Sequence, residues 1–276
     1  MNPRNFFAEL KRRNVTRSRS PTILQQTGLT FQNMRRYAEA EATLDRVRRV
    51  APGDVGARVG RAVIEVEWKA DPKPLLEEVH ALIRENPAAA ADIADRWLYG
   101  ALCARDLVES ERALEHIPPN GIGIDLPSFP LSWWQAMVAR VRGDEAAAHE
   151  LLERARVSAE KTVREQPDFG PGICLLGLID AGLGHKEEAI REGRRAVELL
   201  PVSKDAINGG NMMKYLGVIY AWTGEKELAL QQIAATLAIP ADLGYGQLRL
   251  HPYWDPLRGD PRFEKIVADL APKEGK

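Results

Sequence analysis

Cysteine is almost missing from these 276 residues. The two present, Cys103 and Cys174, stand far apart in apolar helical text, with no CxxC or Cys/His spacing around either. That pattern excludes a disulfide framework and a zinc site of ordinary spacing, and it predicts a reducing, cytoplasmic setting. Long apolar runs are missing too. The most apolar stretches, such as Tyr215 to Trp222, break within about eight residues, whereas a membrane-spanning helix needs roughly 20. The basic N-terminus is not followed by an apolar core, so no secretory signal is expected. Neither charge sign is in excess: 38 Lys and Arg face 39 Asp and Glu, a formal charge of -1. Any pull toward nucleic acid or anionic lipid must therefore be local.

The motifs of catalysis are missing as well. Gly177 and Gly182 lie in or at the end of helical text without the lysine that a phosphate loop requires. The five histidines, His80, His116, His149, His185 and His251, show no HExxH or paired spacing, and no GxSxG elbow occurs. Neighbouring glutamates such as Glu77 and Glu78 read as a solvated helix face rather than an acid/base pair. The sequence thus predicts no catalytic residue, no cofactor and no metal.

What the chain does have is 45% apolar content, enough for a sizeable core, and helical periodicity along most of its length without a strand-like alternation. An all-α fold is expected. A small or compact residue on one helix recurs with a partner 12 positions later: Gly28 with Ala40, Val63 with Leu75, Ala101 with Ala113, Ala136 with Ala148, Gly177 with Ala189, Gly217 with Ala229. Small residues at the middle of two antiparallel helices let the axes approach, and a constant offset implies one turn geometry used six times. Steps between hairpins are 35, 38, 35, 41 and 40 residues. Gly143-Asp144, Gly184-His185 and Gly224-Glu225 fall at one turn position, and Pro52, Pro87 and Pro201 end second helices 12 residues after the compact position.

At Arg36-Tyr37-Ala38-Glu39-Ala40 to Pro52, at Leu176-Gly177 through Gly184, Ala189, Ala196 and Pro201, and at Leu216-Gly217, Tyr220, Gly224 and Ala229, the chain resembles the tetratricopeptide repeat family, whose period is 34. The expected architecture is an α-solenoid of about six degenerate hairpins, at 21–54, 56–89, 94–118, 129–167, 170–203 and 210–240. Residues 1–20 form a basic arm, and 241–276 a capping segment in which Trp254 and Phe263 cover the last hairpin. The third hairpin is cut short by Ile117-Pro118-Pro119 and followed by an irregular loop to Pro127, while helical text in the fourth runs on from Glu145 to Gln166. The segments FFAELKRRNV and LRLHPYWDPLRGDPRFEKIV resemble the ends of bacterial signalling and membrane-anchored members of the family, here without the membrane helix.

The resemblance implies a protein-binding scaffold whose concave wall is lined by the first helix of each hairpin. Carried over by distance from the compact positions, the partner-binding groove comprises Leu98, Leu102, Trp133, Met137, Leu178, Lys214 and Val218, with Trp68 and Trp222 one turn further. Such a wall is apolar and suits a peptide or an amphipathic helix. The same positions also pack hairpin on hairpin, and the sequence leaves the two roles open. A second function is legible in the arm. Arg4, Lys11, Arg12, Arg13, Arg17 and Arg19 against Glu9 give a locally basic segment able to contact anionic membrane or nucleic acid weakly, with peripheral membrane association as the consequence.

Overall fold

The computed structural model describes residues 20–122 and 128–273. Six helical hairpins follow one another: α1 (Pro21–Asn33) with α2 (Tyr37–Val50), α3 (Val55–Lys69) with α4 (Lys73–Glu85), α5 (Ala89–Ala104) with α6 (Leu107–Leu114), α7 (Leu131–Arg142) with α8 (Glu145–Glu165), α9 (Gly170–Leu183) with α10 (Lys186–Leu199), and α11 (Asn208–Trp222) with α12 (Lys226–Leu237). Among the described residues, β-structure is limited to one isolated bridge, Ile122 with Phe129. No helix among them is long and apolar enough to cross a membrane. The basic arm lies almost wholly outside the described residues, as does most of the loop to Pro127.

The sequence marks its own helix boundaries. Asp54, Asp106 and Asp144 each accept a backbone N–H three residues on, which satisfies a donor that an α-helix start leaves free. Gly143, Gly184 and Gly224 adopt left-handed turns, with φ of 81°, 88° and 80°. The corresponding turns of the first three hairpins use Arg35, Ala70 and Arg105 at φ of 56°, 55° and 57°.

These turns correct the register of the third hairpin. In the other five, the left-handed residue stands seven after the compact position, at 35, 70, 143, 184 and 224. Arg105 stands only four after Ala101. The equivalent pair is therefore Leu98 with Ser110, each 1% exposed, and not Ala101 with Ala113. Leu98 is a large residue at a usually small position, and the nearest small residue on the same face, Ala101, lies one turn away. The second helix is short, as the prolines require, and α8 extends to 21 residues.

After α12 the chain does not simply end the stack. Residues from Ala241 through α13 (Tyr245–Leu250) and a 3₁₀ turn (Pro252–Leu257) cross the inner side of the solenoid before α14 (Pro261–Leu270). Helix α13 packs on α3 and α5, and the 3₁₀ turn packs on α11. Trp254 lies beside Gly217, so the last hairpin is covered, but the segment also reaches the first two hairpins. Ala241 N–H donates to the carbonyl of Asn33 at 3.0 Å. Arg35, in its left-handed turn, donates to the carbonyls of Leu237, Ile239 and Leu243 at 2.6, 2.8 and 3.2 Å. Arg105 pairs with Asp255 at 2.6 Å and reaches the carbonyl of Leu250. Two turn arginines thus hold the two ends of the segment, and the solenoid closes on itself. Gly246 permits the closest approach: a Cβ there would lie 1.7 Å from the Val66 carbonyl oxygen.

Candidate functional site

Closure leaves one polar cavity of about 100 Å³ between the segment and the inner helices. Helix α3 contributes Glu67, α5 Asp95, Arg96 and Tyr99, α7 Trp134, and α11 Lys214 and Tyr215, while Asp242, Gln247, His251 and Tyr253 come from the segment. Ile122 and Phe129 complete the wall. Glu67 and Lys214 are both only 4% exposed, whereas the Asp242 side chain keeps 27% of its surface, and Asp95, Arg96 and Tyr99 are half-buried. The cavity is therefore reachable from solvent on the α5 side.

Three carboxyl groups, of Glu67, Asp95 and Asp242, face Lys214 and Arg96 across this space. Lys214 Nζ pairs with Asp242 at 2.8 Å and also lies 4.7 Å above the Tyr215 ring. Burial alone would raise Asp242, but the Lys214 ammonium holds it below the ordinary carboxylate range. Arg96 stands 3.9 Å from Asp95. Among the described residues Glu67 has no cation at contact distance; it accepts a hydrogen bond from the Tyr99 hydroxyl. Burial, reinforced by the neighbouring charge of Asp242, pushes the Glu67 carboxyl up to about 7. His251 is driven the other way, to about 3, by burial and by the nearby charges of Lys214 and Arg105. Its ring stacks on Tyr99 at 5.7 Å, and its Nδ1 accepts the Tyr253 N–H. Lys214 is thus tied to Asp242, and His251 is engaged by Tyr99 on one side and Tyr253 on the other. Among the described residues, the amide oxygen of Gln247, a residue 5% exposed, and the indole N–H of Trp134 have no hydrogen-bond partner.

Most of the expected groove residues belong to the core instead. Leu98, Leu102, Trp133, Met137, Leu178 and Val218 are all at most 1% exposed and pack into one continuous hydrophobic cluster. Their apolar wall is covered by neighbouring hairpins and by the C-terminal segment, so it offers no open groove. Trp222 is half-buried; its indole N–H donates to the Tyr253 carbonyl at 2.9 Å, and its ring lies between Trp133 and the Arg140 guanidinium. Trp68 is half-buried against Tyr37, 6.1 Å between ring centres, with Lys69 above it. Lys214 alone of the nine lines the cavity.

With Leu98 as the compact position of hairpin three, the same wall rule selects Asp95 and Tyr99, and both line the cavity. Glu67 sits one turn beyond Ile64 on the wall face of α3, a carboxylate among apolar neighbours. Asp242 and Gln247 carry no comparable sequence signal, because only closure brings them to α3.

No protein-family model matches the sequence, and no curated protein matches it. Solved structures do. A tetratricopeptide repeat protein from Parabacteroides merdae aligns over 90% of this chain and 83% of its own, with a TM-score of 0.50 at 12% identity. PilW, a type IV pilus biogenesis factor, aligns over 90% and 98% with a TM-score of 0.43 at 13% identity. Six hairpins sharing one turn position, together with the first of these alignments, establish that the chain has the fold of the tetratricopeptide repeat proteins.

Proposed function

We propose that the protein is a non-catalytic interaction scaffold whose recognition site is the polar cavity, with the C-terminal segment serving as one wall. The observation that carries this reading is the filling of the concave face. Where an open solenoid would receive a peptide along its inner helices, residues 241–257 already lie, and what stays reachable is a small chamber rich in charge. Polar groups with fixed geometry confer orientation and specificity, while the surrounding aromatic rings supply contact area. A partner would therefore present a short protruding group to the cavity rather than lay a whole amphipathic helix in an apolar groove.

Peptide-array binding followed by titration in solution tests this. Peptides selected by the intact protein bind with clearly altered affinity on Arg96→Glu, a half-buried change at the mouth that reverses one of its two positive charges. Peptides that bind equally to both proteins would place recognition elsewhere and refute the proposal.

A further inference from the structure

The cavity's charges are unevenly matched. Among the described residues, Lys214 has Asp242 beside it and Arg96 has Asp95, while Glu67 has the Tyr99 hydroxyl as its hydrogen-bond donor and no cation in contact. The nearest segment backbone runs directly over this carboxylate: a Cβ at Gly244 would stand 3.6 Å from Glu67 Oε2, and one at Gly246 would stand 2.9 Å from Glu67 Cα. Gln247, next in the chain, lines the same cavity and leaves its amide oxygen without a donor. A carboxyl with no cation beside it among the described residues and an unfilled acceptor are thus both turned to a space walled by Phe129, Trp134 and Tyr215, whose ring faces favour cations. A volume of about 100 Å³ holds about three waters at the roughly 30 Å³ that liquid water occupies, or a compact group of similar bulk.

Resting on the proposed cavity site, we infer that its ligand is a primary alkylammonium group, with the charge set against Glu67 and an N–H directed to the Gln247 amide oxygen. A lysine side chain on a peptide and a free small alkylamine share this chemistry. Burial makes the site proton-linked. Glu67 is faced by Tyr99 and Arg96 from α5, by Lys214 from α11 and by Asp242 from the segment, with Tyr37 and Cys103 also within its field. In the empty cavity its carboxyl titrates near 7, so it holds a proton at pH 6 and has mostly lost it at pH 8. An entering cation favours the ionised form and displaces the proton. Affinity should therefore rise about tenfold from pH 6 to pH 8, with proton release greatest at the lower pH.

Calorimetric titration of the full chain with n-butylammonium chloride, and with an acetylated, amidated Ala-Ala-Lys-Ala-Ala peptide, at both pH values and in two buffers of different ionisation enthalpy, tests the inference. Binding of either probe with the tenfold rise, lost together with its pH dependence in Glu67→Gln, supports it. Binding of the amine assigns a free small molecule, and binding of the peptide alone assigns a lysine side chain. Glu67→Gln keeps a partner for Tyr99, and its melting curve at pH 6 shows that the variant is folded. Binding that is indifferent to pH or to Glu67→Gln overturns the inference. So does a selected peptide that depends on Arg96 yet tolerates norleucine for lysine; that outcome retains the cavity and rejects the ammonium. Absence of binding by both probes rejects the ammonium, and the array experiment with Arg96→Glu then decides separately whether the cavity is a site at all.

Discussion

Replacing Gly246 by alanine would displace the C-terminal segment from the inner wall. The added Cβ would sit 1.7 Å from the Val66 carbonyl oxygen and 2.7 Å from its carbon, both of them backbone atoms in the last turn of α3. Because such contacts do not fall below about 3 Å, α13 would have to retreat by more than 1 Å. A retreat of that size unseats Leu248, which is fully buried, and strains the Arg35 bonds to Leu237, Ile239 and Leu243. Overpacking costs about 1–3 kcal/mol, and the partial exposure of Leu248 adds to it. With a total near 3 kcal/mol and about 2–4 °C per kcal/mol for a chain of this size, the melting temperature should fall by roughly 6–12 °C. Gly217→Ala is the matched control. Its Cβ would meet nothing nearer than 3.5 Å, and alanine inside a helix is favoured by up to about 1 kcal/mol, so that variant should melt at or above the parent. Thermal melts by circular dichroism, with limited proteolysis of the segment, read both. A Gly246→Ala protein that melts within about 2 °C of the parent and keeps the segment protected would refute the closed arrangement.

Raising the pH should destabilise the fold through Glu67 and Glu192, which burial and a neighbouring aspartate push to about 7 and about 8 from an ordinary 4.5. Their contribution is complete below the ordinary value and is lost as pH rises through 7 to 8; His251, lowered from 6.5 to about 3, contributes in the opposite sense, above 6.5. Melting temperature should thus decline from pH 6.5 to about 8 and level off above it, less steeply in Glu67→Gln, and an identical slope in that variant would contradict the burial of Glu67. Trp133→Ala should cost about 3–5 kcal/mol of stability in denaturant titration, because the ring is fully buried; a loss under about 1 kcal/mol would return it to the surface. Ala70→Gly relieves a left-handed alanine with nothing lost and should gain up to about 1 kcal/mol, whereas Arg35→Gly relieves the same strain but removes three carbonyl contacts and should lose stability. Equal effects at the two turns would mean that Arg35 does not hold the segment. Deletion of residues 1–20 should abolish sedimentation with anionic vesicles at low salt, and sedimentation that survives the deletion, or never occurs in the parent, removes the arm from membrane contact.

The sequence by itself determined the class of fold, because its signals are local. Period 3.6, aspartate caps, turn glycines and terminating prolines each act within one or two helical turns, and together they specify an all-α array of helical hairpins. Where the local signal was degenerate, with Leu98 at a compact position and Arg105 in place of a turn glycine, the register slipped by one turn and carried Asp95 and Tyr99 out of the wall. The candidate site was beyond such reading for a different reason. Trp133, Met137 and Leu178 look alike whether they line a groove or fill a core, since apolar character records only that water is avoided and not what covers the residue. Tertiary structure decided the matter by folding residues 241–257 across the inner helices, through contacts between positions as distant as Arg35 and Leu243. That closure turned an apolar wall into core. It also set Asp242 and Gln247 opposite Glu67, enclosing charges whose desolvation no stretch of sequence expresses.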